Sequence, residues 1–376
     1  MPINRRSKTF IKILGINFAI LMIFLFFPAL LFHFYETLKP RFALAIKQSP
    51  DKRAYYPTYE NKKFSIELLN EFQKLTSKYR GFIGWRREKV NFKYTNIEGP
   101  YNARKSKGES ISNSVWFFGG STMWGTGASD SQTIPSHFNS LTNTSVYNFA
   151  ETAWNSRQSL NQLINAIGDD LNPSLVIFYD GVNDVIHQCR SDLKLVPSHS
   201  REQSIQNRLK RPPIQKRISK TILYPYIRFA NKFNIQLPKV NSLIPKNYDC
   251  DINQVKARLI ASHLINNWHT AYVLSKSKGF EFYGILQPTL FTTETNSEYL
   301  LLNKIDSERK IQYKVVYPLI RKEIEKRCAT DKDFCFHMID GTNWLDGTNN
   351  IFIDFCHVNS LGNKVIAQRL ESLLKK

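Results

Sequence analysis

The chain has 376 residues, with 52 Lys or Arg against 31 Asp or Glu, so its formal net charge is +21. With 42% hydrophobic and 13% aromatic residues it can form a core, which excludes an acidic disordered tail and a disulfide-stapled mini-protein. The 16 Gly and 16 Pro form no repeat, which excludes collagen-like and solenoid proteins, while the basic charge leaves nucleic acid, anionic lipid and acidic glycans as candidate partners.

Residues 13–32 contain no ionisable side chain and read ILGINFAILMIFLFFPALLF. Twenty helical residues match the roughly 30 Å hydrocarbon core of a bilayer, so this segment predicts one transmembrane anchor. Four basic residues precede it, namely Arg5, Arg6, Lys8 and Lys12. By the positive-inside rule, residues 1–12 stay in the cytoplasm and the rest of the chain faces outward.

A cleaved signal peptide is the alternative interpretation of this segment, since Ala43-Leu44-Ala45 resembles a cleavage site. The apolar run is longer than the roughly 7–15 residues of a signal peptide, and charged residues separate it from these alanines. An uncleaved anchor is therefore favoured.

Residues 33–111 form a mixed and charged juxtamembrane extension, in which the sequence indicates a helix over residues 64–79. From residue 112 onward, apolar runs of strand length alternate with helical stretches, which is typical of a parallel sheet covered by helices. The predicted strands are residues 115–118, 146–149, 175–179, 280–286 and 336–339. The predicted helices are residues 159–169, 252–277, 306–327 and 359–374.

Residues 190–250 interrupt this alternation and form a predicted insertion with thirteen basic and three acidic residues. Its net charge of +10 favours a surface that faces anions, either phosphate-bearing lipid headgroups or an acidic glycan. The alternative is a basic surface that serves solubility only.

Five cysteines fit an oxidising compartment, and without C-x-x-C or zinc spacing they predict no structural metal. We expect Cys328 to pair with Cys335 and Cys189 with Cys250, which leaves Cys356 as a free thiol. No cofactor is predicted.

Three short motifs lie where open α/β sheets place their sites, namely at strand carboxyl ends and before the last helix. In Phe118-Gly119-Gly120-Ser121-Thr122, glycines after a strand permit a sharp turn that exposes the Ser121 hydroxyl. Each motif alone is also compatible with an ordinary turn or with surface polar residues.

The other two motifs supply an amide and an imidazole. Asn183, in Asp-Gly-Val-Asn-Asp, offers a donor that can stabilise an oxyanion. In Asp354-Phe355-Cys356-His357, the carboxylate of Asp354 can accept the Nδ1 proton of His357 and leave Nε2 as a base for Ser121.

In their joint order these motifs resemble the SGNH hydrolase family, or GDSL-like esterases, over residues 112–376. The resemblance implies a flavodoxin-like three-layer α/β/α domain with Ser121 as nucleophile in a Gly-Gly-Ser-Thr variant of its block. It further implies a triad completed by Asp354 and His357, and an oxyanion hole that includes Asn183.

The family's second block usually carries a glycine whose backbone N–H completes the oxyanion hole, and here Ala153 takes its place. Alanine supplies the same N–H unless the turn requires a positive φ, where a Cβ costs roughly 1–2 kcal/mol. Ser121, Ala153 and Asn183 are therefore the predicted oxyanion donors. Trp124 and Trp154, beside these groups, are candidates for stacking on sugar rings, with internal packing as the alternative.

The resemblance implies a membrane-anchored serine esterase or O-acyltransferase that acts on acyl, chiefly acetyl, esters of a cell-envelope polysaccharide, in a bacterial inner membrane facing the periplasm. A lipid-directed esterase and a catalytically silent glycan-binding or assembly protein are the alternatives. The outward topology excludes nucleic acid as a partner, and the oligomeric state is left open.

Overall fold

The structure is a computed structural model that describes residues 12–23, 27, 51–106, 111–193, 202, 247–300 and 302–375. The chain divides into two units, one of residues 50–203 and 245–376 and one of residues 1–49 and 204–244. In the second unit, the described residues 12–23 and 27 are helical.

The strands of the larger unit are β1 Ser77–Arg80, β2 Gly84–Arg87, β3 Val90–Asn91, β4 Asn96–Ile97, β5 Val115–Gly119, β6 Val146–Asn148, β7 Leu175–Asp180, β8 Glu281–Leu286 and β9 Met338–Asp340. The α-helices are α1 Lys62–Lys74, α2 Ser121–Trp124, α3 Ile134–Thr142, α4 Ser156–Gly168, α5 Val182–Gln188, α6 Gln254–Lys278, α7 Lys304–Cys328, α8 Lys332–Phe336 and α9 Ser360–Leu374. The 3-10 turns are Lys52–Tyr55, Pro100–Asn102 and Asp130–Gln132.

Five strands form a parallel sheet in the order β6-β5-β7-β8-β9, which confirms the predicted sheet. This is the flavodoxin-like order, in which the chain first adds a strand on one side of β5 and then continues on the other. The carboxyl ends of β5, β6 and β7 therefore meet at one edge, where the order reverses.

Side chains alternate between the two faces of the sheet, as shown by β5. Trp116 and Phe118 point into a core formed with α4, α6 and α7. Val115 and Phe117 point into a second core formed with α3 and α9. Because both faces are buried, the strands are continuously apolar, and the architecture has the three layers that the resemblance implied.

Asparagine caps fix where the helices around the site begin. The side chain of Asn155 accepts the N–H of Gln158 at the start of α4, and that of Asn359 accepts the N–H of Gly362 at the start of α9. Such caps satisfy backbone donors that have no partner within the helix.

The extension differs from the prediction of one helix over residues 64–79. That helix, α1, ends at Lys74, and Ser77–Arg80 pairs with Gly84–Arg87 in an antiparallel hairpin. All four β1 residues are exposed, so β1 lacks the alternation by which a strand is recognised in sequence. The predicted strand over residues 336–339 is also shifted, because α8 extends to Phe336 and β9 begins at Met338.

The structure confirms both predicted disulfides, Cys189–Cys250 and Cys328–Cys335, and leaves Cys356 as a buried free thiol. The first disulfide closes the base of the predicted basic insertion. Residues 194–201 and 203–246 of this insertion lie outside the described residues.

The predicted membrane segment, residues 13–32, falls partly outside the described residues. Within the part of the chain that the structure describes, no helix has the length and apolar character that a membrane crossing requires.

Candidate active site

The candidate site lies at the carboxyl edge of the sheet. Ser121 follows β5 directly and begins α2, while Asn183 follows β7 in the first turn of α5. Asp354 and His357 lie in the loop between β9 and α9. Segments more than 230 residues apart in sequence thus converge here, and the structure brings together the residues that the motifs singled out.

Ser121, His357 and Asp354 form a continuous chain of hydrogen bonds. The Nε2 atom of His357 lies 2.6 Å from the Oγ of Ser121. Its Nδ1 atom lies 2.7 Å and 2.9 Å from the two carboxylate oxygens of Asp354. This arrangement lets the carboxylate hold the imidazole tautomer that carries a proton on Nδ1, so Nε2 is the basic atom that faces the hydroxyl.

The Asp354 carboxylate is itself held in place. Its Oδ1 atom accepts the backbone N–H groups of Cys356, at 3.0 Å, and His357, at 2.9 Å. Burial raises the pKa of Asp354, but the charge and hydrogen bonds of His357 and the charge of Arg53 outweigh this and hold the pKa well below its usual range. Asp354 is therefore ionised at any pH at which His357 can act as a base.

Gly120 allows Asn183 to approach the backbone beside Ser121. A Cβ at Gly120 would lie 2.2 Å from the Nδ2 of Asn183, and this amide donates one proton to the carbonyl of Trp154 at 2.7 Å. An amide has two protons, so a second one remains for a substrate oxygen. The glycine is required by space, since its φ of −84° suits any residue.

Ala153 has a φ of +62°, so the turn does adopt the left-handed conformation that was identified as costly for alanine. Ala153 follows β6 and packs beside Ile83, Trp85 and Trp154. The loop is thus in the conformation that a glycine would favour, despite the Cβ.

The structure contradicts the suggestion that Trp124 and Trp154 stack on sugar rings. Their side chains are 2% and 0% exposed. The guanidinium groups of Arg87 and Arg104 lie 4.5 Å and 4.3 Å from the ring centre of Trp124, and that of Arg86 lies 5.0 Å from Trp154. Both rings belong to the internal packing beneath the site, because cations and core residues already cover them.

Two residues that make contacts near the triad, Thr122 and Arg53, were missed by sequence reasoning. Thr122 donates a hydrogen bond to the carbonyl of Cys356 at 3.0 Å and accepts one from Gln287 at 2.7 Å, which joins α2 to the loop that carries His357. Arg53, from the extension, donates to Asp354 at 3.0 Å. No local motif marks either contact, since each depends on a partner more than 160 residues away.

Asp354, Cys356 and His357 also form a group of potential metal ligands, with ligand atoms within 4.8 Å of one another. Metal binding by this group would need a thiolate, and burial, together with the Asp354 charge, raises the pKa of Cys356 well above its usual value. The Nδ1 atom of His357 is already hydrogen-bonded to Asp354. These atoms suit a proton relay better than a metal site.

The sequence matches the family model of the GDSL-like lipases and acylhydrolases over residues 115–370. The chain belongs to this family. Among curated proteins, none matches the sequence.

Solved structures similar to this acylhydrolase-family chain include a protein of Bacteroides fragilis described as an acylhydrolase, with 13% identity, coverage of 72% of this chain and 90% of that one, and a TM-score of 0.39. A GDSL-like lipase of Bacteroides thetaiotaomicron has 13% identity, coverage of 70% and 88%, and a TM-score of 0.37. An acetyl xylan esterase of Butyrivibrio proteoclasticus has 10% identity, coverage of 71% and 64%, and a TM-score of 0.36.

Proposed function

We propose that this GDSL-like family member is a membrane-anchored serine esterase or O-acyltransferase that acts on acetyl or similar short acyl esters of a cell-envelope polysaccharide. The observation that carries the proposal is the 2.6 Å contact between Ser121 Oγ and His357 Nε2, with Asp354 hydrogen-bonded to the opposite ring nitrogen. A serine, an imidazole and a carboxylate in this order are the groups that covalent acyl transfer needs.

In the proposed reaction, His357 takes the Ser121 proton at Nε2 while the serine oxygen attacks the ester carbonyl. The N–H groups of Ser121 and Ala153 and the side-chain amide of Asn183 stabilise the resulting oxyanion. The intermediate collapses to an acyl-serine as the leaving alkoxide takes the proton from His357. Water or a sugar hydroxyl then gives its proton to Nε2 and attacks the acyl-serine. The second tetrahedral intermediate collapses as Nε2 returns this proton to Ser121 Oγ, which restores the serine hydroxyl and releases the acid or the acylated sugar.

Two features support a polysaccharide substrate that lies outside the cytoplasm. The disulfides Cys189–Cys250 and Cys328–Cys335 are of the kind that persist in oxidising compartments, in agreement with the orientation expected from residues 1–32. A cavity of about 650 Å³ lies at the start of α9 and includes Asn359 and Ser360 in its lining, but none of Ser121, Asn183, Asp354 and His357, so it would hold a part of the substrate remote from the ester. Apart from Phe64 and Leu361, its lining side chains carry polar groups or belong to glycine, which suits a hydrated sugar better than a long acyl chain.

The test is hydrolysis of p-nitrophenyl acetate by the full-length chain, with Ser121→Ala beside it. We expect the substitution to lower kcat on the order of 10⁴-fold, because no other group replaces the nucleophile. Ser140→Ala, which removes a hydroxyl that bonds within α3, is the control and leaves kcat unchanged. Equal rates for the wild type and Ser121→Ala, with both proteins folded, contradict the proposal.

The same assay separates the alternatives. If an added glycan accelerates p-nitrophenol release and itself becomes acylated, the protein is a transferase. If p-nitrophenol is released but the glycan is not acylated, the protein is a hydrolase. Preference for esters of eight or more carbons supports the lipid-directed esterase, for which the basic residues 190–250 would contact anionic headgroups. Inactivity towards every ester supports the silent glycan-binding protein.

A further inference from the structure

Arg53 lies in the extension and reaches the candidate active site, where it contacts Asp354, 301 residues later in the chain. Its Nη1 atom donates to the Oδ2 atom of Asp354 at 3.0 Å. The opposite side of the guanidinium binds Asp51 through Nε and Nη2, at 2.8–3.2 Å. Because Asp51 fixes the guanidinium, Arg53 presents its remaining edge to Asp354 in a defined orientation.

With Arg53 in place, four donor groups hold the Asp354 carboxylate. Oδ1 accepts the backbone N–H groups of Cys356 and His357, and Oδ2 accepts Arg53 and the Nδ1 of His357. A carboxylate held by four donors cannot rotate without losing at least one of them. The plane of the imidazole, which depends on this carboxylate, is fixed with it.

The charged and titratable groups that the structure places around Asp354 come from two elements. The 3-10 turn Lys52–Tyr55 and its flanking residues contribute Arg53, Asp51 and Tyr59, and the loop itself contributes Cys356 and His357. Arg53 opposes the negative charge of Asp354, and hydrogen bonds and charge from Asp51 and Asp354 raise its pKa although burial acts against this. Arg53 therefore remains a cation at every pH of interest.

We propose that Arg53 is a positioning residue that fixes Asp354 and offsets its negative charge, so that the His357 ring stays aimed at Ser121. The proposal rests on the proposed esterase function. A carboxylate without this cation would stabilise the imidazolium more strongly, and His357 would then release its proton at a higher pH.

The test measures kcat and KM for p-nitrophenyl acetate from pH 5 to 9 with the full-length chain and its Arg53→Gln and Arg53→Lys variants. Arg53→Gln is expected to lower kcat about 10-fold or more, to change KM less than threefold, and to move the acid limb of kcat/KM to higher pH. Arg53→Lys restores the position of the acid limb, because it restores the charge. It restores kcat in part, because it lacks the planar pair of donors.

Arg190→Gln is the matched control, because Arg190 also pairs with an aspartate two residues away, Asp192, at the base of the insertion. It is expected to leave both kcat and the acid limb unchanged. An acid limb that stays in place in Arg53→Gln overturns the proposal even if kcat falls, since a structural defect alone would not move it.

Failure of the proposed esterase function can be distinguished from failure of the proposal for Arg53. If Ser121→Ala is as active as the wild type, or no ester reacts, the esterase assignment fails. NMR titration of the His357 ring in wild type and Arg53→Gln then decides on Arg53 alone. A midpoint that rises in the variant supports the proposal, and identical midpoints refute it.

A separate set of contacts links the β1–β2 hairpin to the loop after β6, which carries Ala153. The indole of Trp85 donates to the carbonyl of Thr152 at 3.0 Å, and the indole of Trp154 donates back to the carbonyl of Trp85 at 3.0 Å. Arg86 donates to the carbonyl of Phe149 at 2.6 Å.

The hairpin also binds the acidic residue of this loop. The backbone N–H of Arg87 donates to the Glu151 carboxylate at 2.8 Å, and the guanidinium of Arg87 donates to the hydroxyl of Thr152 at 3.2 Å. Burial lowers the pKa of Arg86 to about 10, with Glu151 acting to raise it, so the guanidinium keeps its charge at neutral pH. Loop residues on both sides of Ala153 are thus held by β2.

We infer that β2 stabilises the left-handed conformation that Ala153 needs in order to present its N–H to the oxyanion. Alone, this conformation costs an alanine roughly 1–2 kcal/mol, and a glycine adopts it freely. The contacts of Trp85 and Arg87 therefore matter more with alanine at position 153 than they would with glycine. This inference also rests on the proposed function.

A double-mutant cycle tests it. We expect Trp85→Phe, which removes the indole donor, to lower kcat about tenfold in the wild type and less than threefold in the Ala153→Gly background. Trp116→Phe, which removes an indole bond to the Ile111 carbonyl at the other end of β5, is the control and lowers kcat equally in both backgrounds. Equal losses for Trp85→Phe in both backgrounds overturn the inference.

If no ester reacts, the same cycle is measured by urea unfolding. A coupling between Trp85→Phe and Ala153→Gly in the free energy of unfolding then supports the inference, and additive effects refute it.

Discussion

Gly120 and Asn183 show how a single missing side chain shapes this site. The amide of Asn183 occupies the volume that a Cβ of residue 120 would fill, and a Cβ at the neighbouring Gly119 would lie 2.4 Å from the carbonyl oxygen of Tyr179. The two glycines let the backbone between β5 and Ser121 approach Tyr179 and Asn183 this closely. The approach of Asn183 to the backbone beside Ser121 is thus a consequence of absent side chains.

Gly120→Ala is expected to lower kcat. The new Cβ displaces the Asn183 amide, and loss of one oxyanion donor is expected to lower kcat about 10²–10³-fold with little change in KM. Gly168→Ala, where a Cβ meets nothing within 4 Å, is the control. Steady-state kinetics on p-nitrophenyl acetate measure the effect, and a kcat within threefold of the wild type would show that Asn183 is not an oxyanion donor.

The corner between β7 and α5 buries two carboxyl groups next to the site. Asp180 accepts the indole N–H of Trp268 at 3.2 Å, and Asp184 accepts the hydroxyl of Ser156 at 2.6 Å and the N–H of Gly181 at 3.3 Å. Asp184 thereby ties the first turn of α5, which carries Asn183, to the start of α4. The position of Asn183 therefore depends on this buried corner as well as on its own helix.

Asp180 makes the stability of the protein depend on pH. Burial, and then the charge of Asp184, raise the pKa of Asp180 well above its usual value. Above about pH 4 the unfolded chain releases a proton that the folded protein retains, so stability falls as the pH rises. Asp354, whose pKa is lowered, acts in the opposite sense, and its contribution is lost only as the pH falls below about 4.

Asp180→Asn is therefore expected to make the dependence of stability on pH shallower between pH 5 and 8, because an amide does not titrate. Urea unfolding at each pH measures the free energy of unfolding. Asp346→Asn, at an exposed carboxylate, is the control and leaves the slope as in the wild type. An unchanged slope in Asp180→Asn would mean that Asp180 does not set it.

For the whole molecule, the extension contributes to the candidate site. Arg53 donates a hydrogen bond to Asp354, and Trp85 and Arg87 bind the loop after β6 that carries Ala153. The family match begins at residue 115, so the segments that carry these contacts lie outside the matched region. A chain shortened to the matched residues would keep Ser121 and His357 and lose the groups that fix their surroundings.

The strands and helices of the sheet layers could be predicted because burial on both faces leaves a continuous apolar run, as in β5 and β7. In the structure Asn359 caps the start of α9, close to the predicted start of that helix. The hairpin could not be predicted, because β1 is exposed throughout and β2 is shaped by contacts with a loop about 65 residues later. Short pairings of this kind depend on the partner surface more than on their own pattern.

The sequence alone indicated the α/β fold class and the four polar residues Ser121, Asn183, Asp354 and His357, because local hydrophobicity and motif order carry that information. The disulfide partners were only an expectation until the structure paired Cys189 with Cys250 and Cys328 with Cys335. Only the tertiary structure decided that Trp124 and Trp154 are internal, that Ala153 is left-handed, and that Arg53 meets Asp354. These three features depend on contacts between segments that are far apart in the chain. Such contacts decide whether an indole is covered, which φ a turn adopts and which cation reaches a carboxylate.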